Sequence, residues 1–120
     1  MAKILIADDS TSMRQMVSFT LKASGFEHDE AKDGEEAFKL AQNNQYDLVL
    51  SDINMPGKNG LELTKAIREL PNYRFTPILL LTTESAANRK TEGKAAGATG
   101  WIVKPFNPDT LINTINKVLK

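Results

Sequence analysis

Three continuous apolar blocks punctuate the chain, at residues 4–7, 48–50 and 78–81. Each is too short for a helix and none alternates with polar residues. That pattern predicts strands buried on both faces of a parallel sheet. Residues 26–31, largely polar, and 101–103, very short, read as weaker strands suited to sheet edges. Between the blocks, apolar residues recur at helical spacing: Met13, Val17 and Leu21; Ala37, Leu40 and Ala41; Leu63, Ala66, Ile67 and Leu70; Leu111, Ile112, Ile115 and Leu119. Met13, Met16 and Met55 are read as core or loop packing. A fourth helical stretch, 85–96, has no apolar side chain larger than alanine, and Gly93 interrupts it at a cost of about 1 kcal/mol relative to Ala.

Punctuation residues agree with this division. Asp33 with Glu36 and Asn59 with Glu62 have capping-box spacing, and Asn107 precedes a proline placed for the first helical position. Gly25 stands where a left-handed cap would end the first helix. Strand and helix therefore alternate five times, the signature of an α/β, doubly wound parallel sheet joined by right-handed crossovers. The most apolar strands (first, third and fourth) must be central and the second and fifth must be edges. The five-stranded order 2-1-3-4-5, flanked by five helices in a flavodoxin-like fold, satisfies that requirement.

Composition narrows the class. The 120 residues suit one domain, expected to span 1–120, and 41% hydrophobic with 25% charged residues is ordinary for a folded chain. Fifteen basic against fifteen acidic residues argue for neither a nucleic-acid nor a membrane partner. With no cysteine, disulfides, thiolate metal sites and cysteine nucleophiles are excluded. No signal peptide or spanning segment is evident, so a cytoplasmic location is expected.

Ligands of such sheets bind beyond the carboxyl ends of the strands. Those ends carry Asp8 and Asp9 on the first strand, Asp52 on the third, Thr82 on the fourth and Lys104 on the fifth. Adjacent strands lie about 4.8 Å apart, so the first and third would crowd three carboxylates together. At an effective dielectric of about 20, each pair about 5 Å apart repels by roughly 3 kcal/mol. Lys104 can offset only one of the three charges, so a cation is expected. Hard oxygen ligands without Cys or a nearby His favour Mg²⁺. A carboxylate beside such an ion can act as a nucleophile and form an aspartyl-phosphate, with Lys104 and the Thr82 hydroxyl holding phosphoryl oxygens.

Competing readings explain less. Asp8 or Asp9 as a helix N-cap accounts for neither the lysine nor the convergence of all five residues. Phosphate-binding glycine motifs are absent, and the Asp8-Asp9-Ser10-Thr11-Ser12 loop would repel an FMN phosphate. His28, the only histidine, falls in the polar edge strand and reads as a solvated surface residue, which argues against a Ser-His-Asp hydrolase.

Four segments resemble the receiver domain of two-component response regulators, particularly its stand-alone chemotaxis members: Ile4-Leu5-Ile6-Ala7-Asp8-Asp9-Ser10, Ser51-Asp52-Ile53-Asn54-Met55-Pro56-Gly57, Leu81-Thr82-Thr83-Glu84 and Val103-Lys104-Pro105-Phe106. The resemblance runs over essentially the whole chain. It implies that Asp52 accepts the phosphoryl group, that Asp8, Asp9, Asp52 and the Asn54 carbonyl serve Mg²⁺, and that Thr82 and Lys104 hold the phosphoryl oxygens. It implies a cis bond between Lys104 and Pro105, and a switch in which Thr82 and the strand-5 aromatic, here Trp101, move together. Relatives usually carry Tyr or Phe at that position. Asn54 and Glu84 would tune dephosphorylation.

The function the resemblance implies is a phosphorylation-driven binding switch, not an enzyme beyond its own phosphorylation and dephosphorylation. A CheA-like sensor histidine kinase would be the donor. The surface of the fourth helix, fifth strand and fifth helix, with Arg89, Lys90 and Lys94 nearby, would bind a protein such as the flagellar motor switch. A monomer acting in chemotaxis, with no output domain after Lys120, is expected. The alternatives are a phosphorelay shuttle or phosphate sink and, from a different class, a metal-dependent phosphatase.

Overall fold

The computed structural model describes residues 2–55, 57–82, 87–104 and 106–119, with residues 87–90 described in backbone only. Its elements alternate as β1 (Lys3–Ala7), α1 (Thr11–Ala23), β2 (Glu27–Ala31), α2 (Gly34–Asn43), β3 (Leu48–Asp52), α3 (Gly60–Arg68), a 3₁₀ turn (Pro71–Tyr73), β4 (Ile78–Thr82), α4 (Ala87–Ala96), β5 (Gly100–Val103) and α5 (Pro108–Val118). All strand pairs are parallel and the sheet order is β2-β1-β3-β4-β5, as the apolar content of the strands predicts.

Alternation along each strand divides the core in two. Ile4, Ile6, Leu48, Leu50, Leu79, Leu81 and Ile102 meet Val17 and Leu21 of α1 and Leu111 and Ile115 of α5. Leu5, Ala7, Val49 and Ile78 meet Ala37 and Ala41 of α2 and Leu63 and Ile67 of α3 on the other face. Each fully buried Leu or Ile contributes roughly 2 kcal/mol of apolar transfer free energy. The register places Ile4 against Leu48 and Ile6 against Leu50, so β1 and β3 end side by side. That alignment positions the site.

The helix starts follow their capping residues. Asn59 and Glu62 form the full reciprocal box, and Asn107 accepts from Thr110 N at 2.8 Å with Pro108 opening α5. Asp33 accepts from Glu36 N at 2.8 Å, whereas the Glu36 carboxylate reaches one residue further back, to Lys32 N at 2.9 Å. Gly25 takes φ of +86° after α1, the conformation its position predicts. α4 begins at Ala87, and the rest of the expected 85–96 helix lies outside the described residues.

Two buried tyrosines have no counterpart in the periodicity analysis. Tyr46 and Tyr73 are fully buried, and each phenol finds a partner. Tyr46 OH donates to Asp29 Oδ2 at 2.6 Å, while Tyr73 OH donates to the Asn44 carbonyl and accepts from Tyr46 N at 3.2 Å. Burial raises both phenols above their usual range, and the Asp29 carboxylate adds to the rise at Tyr46. They sit in connections, where a helical or strand period cannot reveal burial.

Candidate functional site

The carboxyl edge of the sheet gathers the strand-end residues. Asp52 is the last residue of β3, and Asp8 and Asp9 follow β1 directly. Asp8 is fully buried and Asp52 nearly so, while Asp9 faces solvent. One carboxylate oxygen from each of the three lies within 4.8 Å of the other two. Lys104, one residue past β5, points its Nζ into the group, 3.2 Å from Asp52 Oδ1 and 3.4 Å from Asp8 Oδ2. Thr82 closes β4 and is buried at the same edge.

Local backbone chemistry holds these groups in place. Ser10, not Asp8 or Asp9, caps α1: its Oγ accepts from Met13 N at 3.3 Å. Asp8 Oδ1 accepts from Ser10 N at 2.9 Å, which fixes one of its oxygens and leaves the other toward Lys104. Beyond β3 the chain stays in the sheet for one more residue, with Ile53 N donating to Leu81 O at 3.1 Å. It then turns back so tightly that Gly60 N donates to Ile53 O at 3.0 Å. A Cβ on Gly60 would stand 2.3 Å from the Asp52 carbonyl, so only glycine permits that return.

Burial raises the Asp52 carboxyl above its ordinary value of 3.8; Lys104 opposes the rise, Asp8 adds to it, and hydrogen bonds from Lys104 and the Asn54 backbone oppose it again. Three carboxylates facing one lysine leave the edge electronegative. The donor set is all oxygen, and Mg–O distances of about 2.1 Å put opposite ligands roughly 4.2 Å apart. A 4.8 Å cluster reaches that spacing by small side-chain rotations, so the residues fit Mg²⁺.

The remaining expected residues are placed as follows. Asn54 is exposed beside the cluster, two residues after Asp52. Trp101 is half-buried on β5 opposite Leu80, and lines a groove of about 310 Å³ with Ile102, Val103 and Phe106 of β5 and its exit, and Asn107, Thr110 and Thr114 of α5. Glu84, the Lys104–Pro105 bond and the side chains of Arg89 and Lys90 lie outside the described residues. His28 requires a correction. Its side chain is only 13% exposed, and its Nε2 lies 2.6 Å from Ser18 Oγ on α1 and 3.5 Å from Glu30 Oε2. An edge strand is unpaired along one side yet still covered on one face, and α1 covers His28.

Gly60 and Arg14 serve the site without being marked out by the hydrophobic pattern or the motifs. Arg14 Nη1 donates to the Asp8 carbonyl at 2.7 Å. A basic residue one helical turn after the N-cap serine was the available signal, since the helix dipole disfavours a cation there and something else must hold it.

Known proteins resemble this chain along nearly its full length. The family model for the response regulator receiver domain matches residues 4–116. The chemotaxis protein CheY-3 of Vibrio cholerae serotype O1 is 38% identical over 119 residues, 98% of this chain and 92% of that protein. The structure of V. cholerae chemotaxis protein CheY4 superposes with a TM-score of 0.96 at 55% identity, covering 98% of both chains. The receiver domain of the sensor histidine kinase PA1611 from Pseudomonas aeruginosa PAO1, solved with a magnesium ion coordinated in its active site cleft, has a TM-score of 0.92 at 25% identity over 98% of this chain and 97% of that one.

Proposed function

Because this chain belongs to the response regulator receiver domain family, we propose that it is a phosphorylation-driven binding switch, with residues 1–120 forming one receiver domain and Asp52 as its phosphoacceptor. The observation that carries this reading is the convergence of Asp8, Asp9 and Asp52 within 4.8 Å, with Lys104 Nζ 3.2 Å from the Asp52 carboxylate.

The chemistry follows from the residues at the edge. A carboxylate oxygen of Asp52 attacks the phosphorus of a phosphohistidine; the N–P bond breaks, the imidazole leaves with its electron pair, and an acyl phosphate forms. Asp9, Asp52 and the Asn54 carbonyl are the ligands assigned to Mg²⁺, with Asp8 holding a metal-bound water or assisting directly. Bound there, the ion would lower the repulsion between the entering phosphoryl group and the carboxylates. Lys104 begins paired with Asp52 and is within reach of a phosphoryl oxygen carried by that same side chain. The Thr82 hydroxyl, at the end of the next strand, is the second holder. Burial of Asp52 makes it a stronger base than a solvated carboxylate, which favours attack.

Movement of Thr82 toward the phosphoryl group is transmitted along β4 and β5, which pair Thr82 with Val103 and Leu80 with Trp101. The surface that changes is that of α4, β5 and α5. Its groove beside Trp101, with Val103 38% exposed, offers a partner apolar contact. The names of the chemotaxis relatives support a role in chemotaxis; the family resemblance extends that reading to a CheA-like kinase as donor and the flagellar motor switch as target, met in the cytoplasm.

Incubation with an acyl phosphate and Mg²⁺ is the direct test. The native chain should take up one phosphoryl group, and Asp52→Asn or chelation of Mg²⁺ should abolish it. Uptake that persists in Asp52→Asn overturns the site. The labelled chain, offered to motor and histidine-phosphotransfer proteins, should bind the former; return of phosphate to a histidine would replace the motor reading with a relay.

A further inference from the structure

A polar rib between α1 and β2 leads from the sheet edge to the acidic cluster, and the phosphoacceptor reading gives it no task. Arg14 makes two contacts at once. Its Nη1 donates to the Asp8 carbonyl at 2.7 Å, and its Nε lies 3.7 Å from Glu30 Oε1. The other Glu30 oxygen lies 3.5 Å from His28 Nε2, which is 2.6 Å from Ser18 Oγ. Glu30 is thus held from both sides while it holds Arg14.

The location gives the rib its meaning. Asp8 N still belongs to the sheet, donating to Ala31 O at 3.1 Å, whereas the Asp8 carbonyl has turned to α1, where Arg14 donates to it. Asp8 is therefore the corner between β1 and α1, and its side chain and that of Asp9 leave from this corner. With Glu30 38% exposed, the ion pair contributes little to stability. The guanidinium is a planar fork of donors that serves a carbonyl and a carboxylate together, which an ammonium does not. We propose that Arg14, braced by Glu30, is a positioning residue for the divalent-cation centre, setting the corner from which Asp8 and Asp9 present their carboxylates. This inference rests on the assignment of Asp8, Asp9 and Asp52 to Mg²⁺.

Magnesium titration followed by amide NMR tests it, with thermal unfolding in EDTA as a control. Arg14→Lys should weaken Mg²⁺ binding by about tenfold, as loss of a ligand-orienting partner typically does. Glu30→Gln should weaken it less, and the double variant should be no worse than Arg14→Lys alone, because the brace acts only through Arg14. Unfolding midpoints should stay close to that of the native chain. An affinity within twofold of native for Arg14→Lys, or independent multiplying effects of the two substitutions, overturns the proposal. If Arg14→Lys does not fold, Glu30→Gln decides, and unchanged affinity there sinks the idea. Native binding lost in Asp9→Asn but untouched in the rib variants leaves the cation site standing and removes only the role of Arg14. A native chain that binds no Mg²⁺ overturns both.

Discussion

Asp52 combines near-complete burial with a lysine 3.2 Å away. Burial raises its proton affinity, while the lysine keeps the charged form accessible. Asn54, two residues after Asp52, is exposed, and the family resemblance puts it beside the path of an attacking water. Replacing it with arginine, Asn54→Arg, is expected to slow loss of the phosphoryl group severalfold by obstructing that approach; decay of the labelled protein followed over time measures it. Asp8, Asp9, Asp52, Thr82 and Lys104 were legible in the sequence because each stands at the end of an apolar run, and strand ends are where such folds bind ligands. Arg14 and Gly60 were not, because their tasks depend on which backbone meets them across space: the Asp8 carbonyl for one, the Asp52 carbonyl for the other.

Among the helices α4 stands apart. Residues 87–96 contain no apolar side chain larger than alanine, and Gly93 and Ala96 are buried; α2 also buries small residues, Ala37 and Ala41, but adds partly buried Phe38 and Leu40 to the core. α1 anchors through Val17 and Leu21, α3 through Leu63 and Ile67, and α5 through Leu111 and Ile115. Lack of even one such residue costs roughly 2 kcal/mol of anchoring, and α4 lacks both. Hydrogen exchange should therefore run at least about thirtyfold faster in α4 amides than in those of α3, through local opening. Equal protection in both helices would remove the physical basis for a moving α4. The lack of a large apolar side chain was readable from composition, since no placement in space can supply a side chain the segment lacks. His28 was misread at the same level: polarity located the edge strand, but only the packing of α1 determined that Ser18 covers it.

For the molecule as one body, the acidic edge exerts its cost through pH. The folded Asp52 carboxyl titrates above its ordinary 3.8, chiefly through burial. Between the two values the folded chain keeps a proton that the unfolded chain has released. Stability without metal therefore falls as pH rises through that interval and stays lower above it. Asp52→Asn removes this dependence, so the variant should match the native chain at the acid end and gain on it as pH rises past about 4. Urea unfolding in EDTA across that range measures the gap; a constant gap would mean that Asp52 is not the strained group. No helix among the described residues is long and apolar enough to cross a membrane.

The amino-acid order alone determined the five-fold alternation, the strand order and the edge on which chemistry gathers. Those properties follow from periodicity and from the burial each strand demands, and both are one-dimensional records. Tertiary structure alone decided how Tyr46 and Tyr73 are buried, where His28 lies, and how Arg14 reaches the corner of β1 and α1. Each of these depends on a contact between segments that the chain brings together only on folding, and a backbone carbonyl leaves no trace in the sequence of the side chain that will meet it.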